Sequence, residues 1–161
     1  MNDAHDRLED RIAIAQLLDA SVRLLDRAKY EEWLRLFADD GKYTIVCNDG
    51  ITALGTFIVD TDRDGIAARV ALLKDPDRAR EAVARSHLPS WGPVNFTGPA
   101  QAQVESRFVV YETRQIDGVS RIGFVGCYED RLVRDAQGQW RIGSRRAELD
   151  TFTFKNLVVP L

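Results

Sequence analysis

Two histidines, two cysteines and one methionine are all that this 161-residue chain offers of the softer metal ligands. Cys47 and Cys127 share no short spacing, and neither a Cys-x-x-Cys nor a His-x-x-x-His occurs. A zinc or iron centre built on several imidazoles is therefore excluded for this chain on inventory, and no metal ligand is assigned. No glycine-rich loop of phosphate-binding form is present. Lys and Arg number 22 against 25 Asp and Glu, a formal net charge of -3, so no positive excess exists to draw nucleic acid. No apolar run approaches the ~20 residues that span a bilayer, and the opening "MNDAHDRLED" is too acidic for a signal peptide. The expectation is a cytoplasmic protein, off the membrane, with both thiols reduced and buried in strands.

What is present suffices for one domain over residues 1–161. A chain of this size hides roughly 70% of its unfolded surface and needs no disulfide or metal to hold a core. Leu8, Ile12, Ala15, Leu18, Val22 and Leu25 recur at helical steps and predict an amphipathic first helix. A break at Asp26 to Lys29 precedes a shorter helix carrying Tyr30, Trp33, Leu34 and Phe37, which "ADDG" ends. Tyr43, Ile45 and Cys47 then alternate as in a half-buried strand, and a second strand is expected at 53–59. Thr61 or Asp62 can cap a helix from about Asp64 to Lys74, and "DPDRAREAVAR" can restart it. "SHLPSWGPVNFTGP", rich in proline and glycine, reads as loop with a short strand at 94–96. Residues 102–116 and 119–134 alternate around an Asp117-Gly118 turn, and a third strand starts at Trp140. The sum is α+β, with helices on one face of a strongly curved, mainly antiparallel sheet.

Few side chains suggest chemistry. His87 is either a general base or a hydrogen-bonded structural histidine, and Asp26 either faces a pocket or terminates the first helix. Tyr43 and Tyr128 point to the apolar sides of their strands, where they either pack or donate to a bound carbonyl. In "SRRAELD", alternation puts Arg146, Glu148 and Asp150 on the face continuing from Trp140 and Ile142, with Arg145, Ala147 and Leu149 opposite. The ending "TFTFKNLVVPL" is apolar almost to its last residue and demands cover.

These segments carry a resemblance. "LLDRAKYEEWLRLFADDGKYTI" resembles the helix-to-strand passage of the small (beta) subunits of aromatic-ring-hydroxylating dioxygenases, in Leu25-Asp26, Tyr30, Trp33, Leu36-Phe37, Asp40 and Tyr43. "DTDRDGIAARVALL" is similar to that family's helix with Arg69, Val70 and Leu73, and "RRAELDTFTFKNLVVPL" to its ending; around His87 the family's Arg-His and Val-Ser-Asn pattern is missing. The resemblance implies the cone-shaped nuclear-transport-factor-2-like fold. It also implies a non-catalytic small subunit, in a beta trimer bound to three large (alpha) subunits as alpha3beta3. The Rieske [2Fe-2S] cluster and mononuclear Fe(II) would lie in the large subunit. Partner contacts are then expected at Arg145, Arg146, Phe152, Phe154, Asn156, Leu157, Val158, Val159, Pro160 and Leu161. The short chain and "VVPL" resemble subunits of oxygenases acting on aromatic carboxylates. Dehydratases and isomerases of the same cone fold share the helical opening, and on that alternative Asp26, Tyr43 and His87 form a catalytic set.

Overall fold

The first helix ends where its last carbonyls find partners. In the computed structural model, which describes residues 3–47, 56–73, 83–151 and 160–161, α1 runs Asp3–Asp26. The Lys29 N–H donates to the Leu24 carbonyl (2.8 Å) and the Ala28 N–H to that of Leu25 (3.0 Å). Ala28 takes the left-handed conformation (φ 54) that glycine normally supplies at such a cap. The chain turns into α2 (Tyr30–Leu34) and enters β1 (Phe37–Cys47).

Phe37 therefore opens a strand instead of closing a helix. "ADDG" is a bulge within β1: Phe37 pairs Ile142 and Lys42 pairs Ser144, so the residues between them leave the ladder. Next come β2 (Thr56–Asp62), α3 (Arg63–Leu73), β3 (Val83–Trp91), β4 (Asn95–Gly98), β5 (Gln101–Arg114), β6 (Ser120–Arg134) and β7 (Trp140–Leu149). The Gly65 N–H donates to Asp62 Oδ1 (3.0 Å), which makes Asp62 the cap of α3. The expected strand at 53–55 and the helix restart after Asp75 lie outside the described residues, up to the start of β3.

The strands form one sheet in the order β2-β1-β7-β6-β5-β3, with β4 also pairing β5. Among the described residues only β1 and β7 run parallel; the other pairs are antiparallel. The expected α+β architecture is thus present, with α1 against β3 and β7, and α3 against β1. Among the described residues no helix is long and apolar enough to cross a membrane.

Three local expectations change. Residues 86–91 belong to β3, not to a loop; Pro89 is tolerated because β3 is an edge strand with one unpaired side. Leu8 and Ile12 face outward, 54% and 51% exposed, and Ala15 is exposed too. The helix instead turns Asp10, Ile14, Leu18, Ser21, Val22 and Leu25 inward. Asp10 sets that rotation, accepting from Trp140 Nε1 (3.1 Å) and pairing with Arg134. Two residues along a helix are about 200° apart, so burying Asp10 exposes both Leu8 and Ile12. Finally, β7 changes face at Gly143. Arg131 pairs Ser144 but Leu132 pairs Ile142, which leaves Gly143 as an extra residue. After it, Arg145, Ala147 and Leu149 point inward, and Arg146 and Glu148 outward.

Candidate active site

Facing pairs across the ladder put inner side chains in rows. Trp91 lies opposite Ser106, and Ser106 opposite Tyr128; one row along, Pro89 lies opposite Phe108, and Phe108 opposite Gly126. A Cβ on Gly126 would meet the Glu148 carbonyl oxygen at 2.1 Å and Phe108 Cζ at 3.1 Å, so glycine is required there. The space lets the Phe108 ring lie flat on Tyr128, centroids 4.2 Å apart and 16° between planes. The Arg145 guanidinium sits 4.4 Å from the centre of the Tyr128 ring, and Trp91 adds a second aromatic contact to it at 6.5 Å.

A further row along β3, His87 points inward opposite Val110. The last residue of α1 holds it. Asp26 Oδ1 lies 2.6 Å from His87 Nδ1, and both carboxylate oxygens accept from the His87 backbone N–H at 3.1 Å. A carboxylate in the last turn of a helix faces the negative end of the helix dipole, an unfavourable place unless donors offset it. Here both donors come from one residue of another element. The His87 side chain is 1% exposed, and its Nε2 has no hydrogen-bond partner among the described residues. In the neutral tautomer that carries its proton on Nδ1, toward the carboxylate, the lone pair of Nε2 is the group left for a ligand.

Asp26 and His87 are therefore brought together; Tyr43, the third member of that set, is otherwise engaged. Its hydroxyl donates to the Leu161 carbonyl and accepts from the Leu161 N–H, both at 2.8 Å. Burial, partly opposed by that hydrogen bond, pushes the Tyr43 pKa up to about 12. Burial raises the Tyr128 pKa as well, and Asp26 is among the charges that add to the rise. The Tyr128 hydroxyl and Ser106 Oγ are buried, and neither has a partner among the described residues.

The residues expected at a partner interface are scattered. Arg145 is fully buried, its Nε and Nη2 donating to Asp130 at 2.7 and 3.0 Å and its Nη1 to Ser21 Oγ at 3.0 Å. Burial, the largest cause, works against its charge, but the Asp130 charge and hydrogen bonds together with Tyr128 and Tyr43 leave the net shift of its pKa upward. The face change at Gly143 is why Arg145 is inside. Arg146 is outside, half-buried beside Glu129 and Glu148. Pro160 and Leu161 are buried within this chain, Leu161 as a member of its hydrophobic core. Phe152, Phe154, Asn156, Leu157, Val158 and Val159 lie outside the described residues. Neither Cys47 nor Cys127 is in a disulfide; Cys47 is buried, its Sγ 3.5 Å from the Thr151 carbonyl oxygen, and Cys127 is half-buried, its pKa raised by burial and then by Glu148. No group of three or more His, Cys, Asp or Glu among the described residues is placed to hold a metal ion.

Sequence reasoning missed Ser106 and the Asp130–Arg145 pair. For Ser106 the signal was a hydroxyl at an inward position of an otherwise apolar alternation, between Val104 and Phe108. Asp130 breaks the inward face of β6 in the same way.

A family model described as the SnoaL-like domain matches residues 6–146. No curated protein gives a significant match. Among solved structures, the chain is similar to one from Novosphingobium aromaticivorans described as the beta subunit of an aromatic-ring-hydroxylating dioxygenase. That likeness has 28% identity and a TM-score of 0.80, over 96% of this chain and 99% of that one. It is also similar to the beta subunit of benzoate 1,2-dioxygenase from Burkholderia mallei, at 16% identity and TM-score 0.74 over 91% and 95% of the chains. A Novosphingobium aromaticivorans protein described as a scytalone dehydratase follows, at 22% identity and TM-score 0.70 over 98% and 93%. The last two likenesses speak for the fold alone.

Proposed function

The chain belongs to the SnoaL-like domain family, with the nuclear-transport-factor-2-like fold expected for it, and from its Asp26–His87 pair we propose a proton-transfer enzyme, a dehydratase or isomerase. One observation carries this reading: His87 is anchored through Nδ1 and its backbone N–H, while buried Nε2 has no partner among the described residues. A buried nitrogen without a hydrogen bond destabilises the fold unless a ligand completes it.

The chemistry follows from that arrangement. Nε2 takes a proton from a carbon next to a substrate carbonyl. The electrons of the broken C–H bond form a C=C bond while the C=O π pair moves onto oxygen, giving an enolate that collapses back to C=O as the proton is returned. Asp26 stabilises the imidazolium and fixes its orientation. Nε2–H then returns the proton. Given to a leaving hydroxyl, it completes loss of water; given to another carbon, it completes an isomerisation.

The test uses the purified chain without reductant and with a chelator. Deuterium exchange at the acidic C–H of cyclic hydroxyketones is followed by NMR for wild type, Asp26→Asn and His87→Ala. Exchange catalysed by wild type and lost in both variants, with melting curves intact, supports the reading; exchange unaltered in the variants overturns it.

A second reading is the small subunit of a ring-hydroxylating dioxygenase supporting an alpha subunit in an alpha3beta3 complex. The full-length similarity at 28% identity favours it. So does an apolar outer sheet face, where Leu88, Tyr111 and Ile122 are exposed beside Ile116 and Val119 of the β5–β6 hairpin. Here the Rieske cluster and Fe(II) would reside in the partner, and aromatic carboxylates would be one substrate class. Co-expression with an oxygenase large subunit encoded beside this chain should give one hetero-oligomer on sizing, and two separately eluting proteins would refute it.

A further inference from the structure

One row beyond His87 the inner face of the sheet turns from apolar to charged. His87 faces Val110 and Val110 faces Phe124; in the next row Arg85 faces Glu112 and Glu112 faces Arg121. The buried Glu112 carboxylate lies between the two guanidinia. Arg85 Nε and Nη2 donate to Oε1 at 3.2 and 3.0 Å, and Arg121 Nη2 donates to Oε2 at 3.2 Å. A bulge makes the room: Val110 pairs Phe124 but Tyr111 pairs Ile122, which leaves Gly123 as an extra residue, and a Cβ there would meet Glu112 Cγ at 2.6 Å. Two guanidinia thus share one carboxylate, while Asp26, beside the neighbouring row, is engaged by His87. Arg85 Nη1 and Arg121 Nε and Nη1 have no hydrogen-bond partner among the described residues. The Arg85 side chain is 18% exposed and that of Arg121 45%, so the row is dry at one end and open to solvent at the other. An unbalanced positive charge taken partly out of water costs stability until an anion completes it. To brace the hairpin, one arginine on Glu112 would suffice.

We propose that Arg85 and Arg121, held in place by Glu112, form a subsite for a carboxylate carried by the substrate. What happens to that substrate rests on the proton-transfer reading of Asp26 and His87; its binding rests on the ion-pair geometry alone. Successive inward residues of a strand are roughly 7 Å apart. A carboxylate on the guanidinia therefore brings a carbon a few bonds away, across about one ring, within reach of His87 Nε2. Val110 and Phe124, buried in the His87 row, offer apolar contact to the body of such a ligand. The guanidinium fork matches the two oxygens of a carboxylate. One uncancelled charge in the row suits a monoanion, whereas a phosphate dianion would keep a charge unmet. Glu112 is a positioning residue: it fixes both guanidinia and, by occupying some of their donors, weakens their hold on a second carboxylate.

The test reads binding and catalysis separately. The probe is 4-oxocyclohexanecarboxylate, which joins a carboxylate to an enolisable ketone across one ring, and its methyl ester is the neutral control. Binding of both to the purified chain is followed by calorimetry, and deuterium exchange beside the ketone by NMR. Wild type should bind the acid on the order of 10-fold more tightly than the ester, a preference that shrinks with added salt. Arg121→Gln, at the exposed end of the row, should lose most of that preference and keep the ester within about 2-fold of wild type. Glu112→Gln retains an acceptor for the arginines but removes the competing charge, so it should tighten the acid by about 3-fold. A row that only braces the hairpin gives neither change. Acid that fails to bind wild type, or binds no better than ester, would overturn the subsite. So would an unchanged preference in Arg121→Gln, or acid bound no more tightly by Glu112→Gln; if the latter does not fold, Arg121→Gln decides alone. His87→Ala should keep the acid preference and lose the exchange. If it keeps both, the dyad reading fails and the subsite stands as a binding site.

Discussion

Two acid–base pairs tie α1 to the sheet, their bases Arg145 and His87 both buried, and they end differently. Asp130 and Arg145 meet through two hydrogen bonds with both side chains at 0% exposure, and Ser21 on α1 accepts the third guanidinium contact while donating to the Leu18 carbonyl at 2.6 Å. Nearly every polar atom in that cluster has a partner. Asp26 and His87 form the other pair, equally close, yet one ring nitrogen is left open. Burial alone therefore does not distinguish structure from chemistry. The distinguishing feature is whether the hydrogen-bond inventory closes.

If the first pair is structural, breaking it gives the largest effect in the molecule. Arg145→Met leaves the Asp130 carboxylate buried without its partner, and should cost about 3–5 kcal/mol in urea unfolding. Combining it with Asp130→Leu should recover most of that loss, because no charge is then stranded. A single-variant cost below about 1 kcal/mol would show that water reaches Asp130, and the contrast between the pairs would collapse.

For the open pair the signs reverse. Asp26→Asn keeps an acceptor for the His87 N–H and removes a carboxylate from the negative end of a helix, so stability should shift by about 1 kcal/mol or less. The imidazole loses the partner that sets its tautomer, and turnover should fall by about 100-fold or more. Equal losses of stability and rate would mean that the dyad, too, is only a brace.

Tyr43 belongs to the closed side of the comparison, and alkaline pH tests it. Unfolded, its phenol titrates near the ordinary value of 10; folded, burial first and then the Leu161 contact set it at about 12. Between those values the unfolded chain releases the proton before the folded one does. Its contribution is thus complete below pH 10 and lost as pH rises toward 12, about 2–3 kcal/mol in all. Tyr43→Phe should flatten this decline. At neutral pH it should cost about 1–3 kcal/mol, because the Leu161 N–H and carbonyl lose their partner. A variant with an unchanged alkaline slope would show that the hydroxyl is not closed off by the chain end.

Periodicity read most elements correctly and failed where one residue changes the phase. The three long strands and the capping Asp62 follow from alternation and turn chemistry that act locally. Gly143 inserts one residue into β7, which transferred Arg145 from an expected rim to the core. Phe37 obeyed helical spacing but was drawn into β1 by pairing with Ile142, more than a hundred positions away in sequence. Asp26 and His87 were each recognisable as titratable residues beside a break. Their meeting was not, because it depends on how α1 crosses β3. Ser106 and Asp130 were visible only as polar interruptions of apolar rows, a signal that acquires meaning once the rows are known to face inward.

The smallest expected effect concerns the cap that ends α1, just beyond the open pair. Ala28 is exposed and holds φ 54 at the cap that ends α1, two residues beyond Asp26. An L-residue there is strained by roughly 1–2 kcal/mol relative to right-handed backbone, whereas glycine is not, though glycine gives back about 0.5–1 kcal/mol in unfolded-state entropy. Ala28→Gly should therefore stabilise by up to about 1 kcal/mol and raise the melting temperature by about 2–4 °C. The Leu24 and Leu25 carbonyl contacts persist in that variant, so Asp26 keeps its place and turnover should match wild type. A lower melting temperature would show that the Ala28 methyl packs in a way its exposure does not reveal. A rise in stability accompanied by a fall in turnover would instead show that the open pair needs the cap to yield, a demand the closed pair at Ser21, a turn and a half earlier on the same helix, does not make.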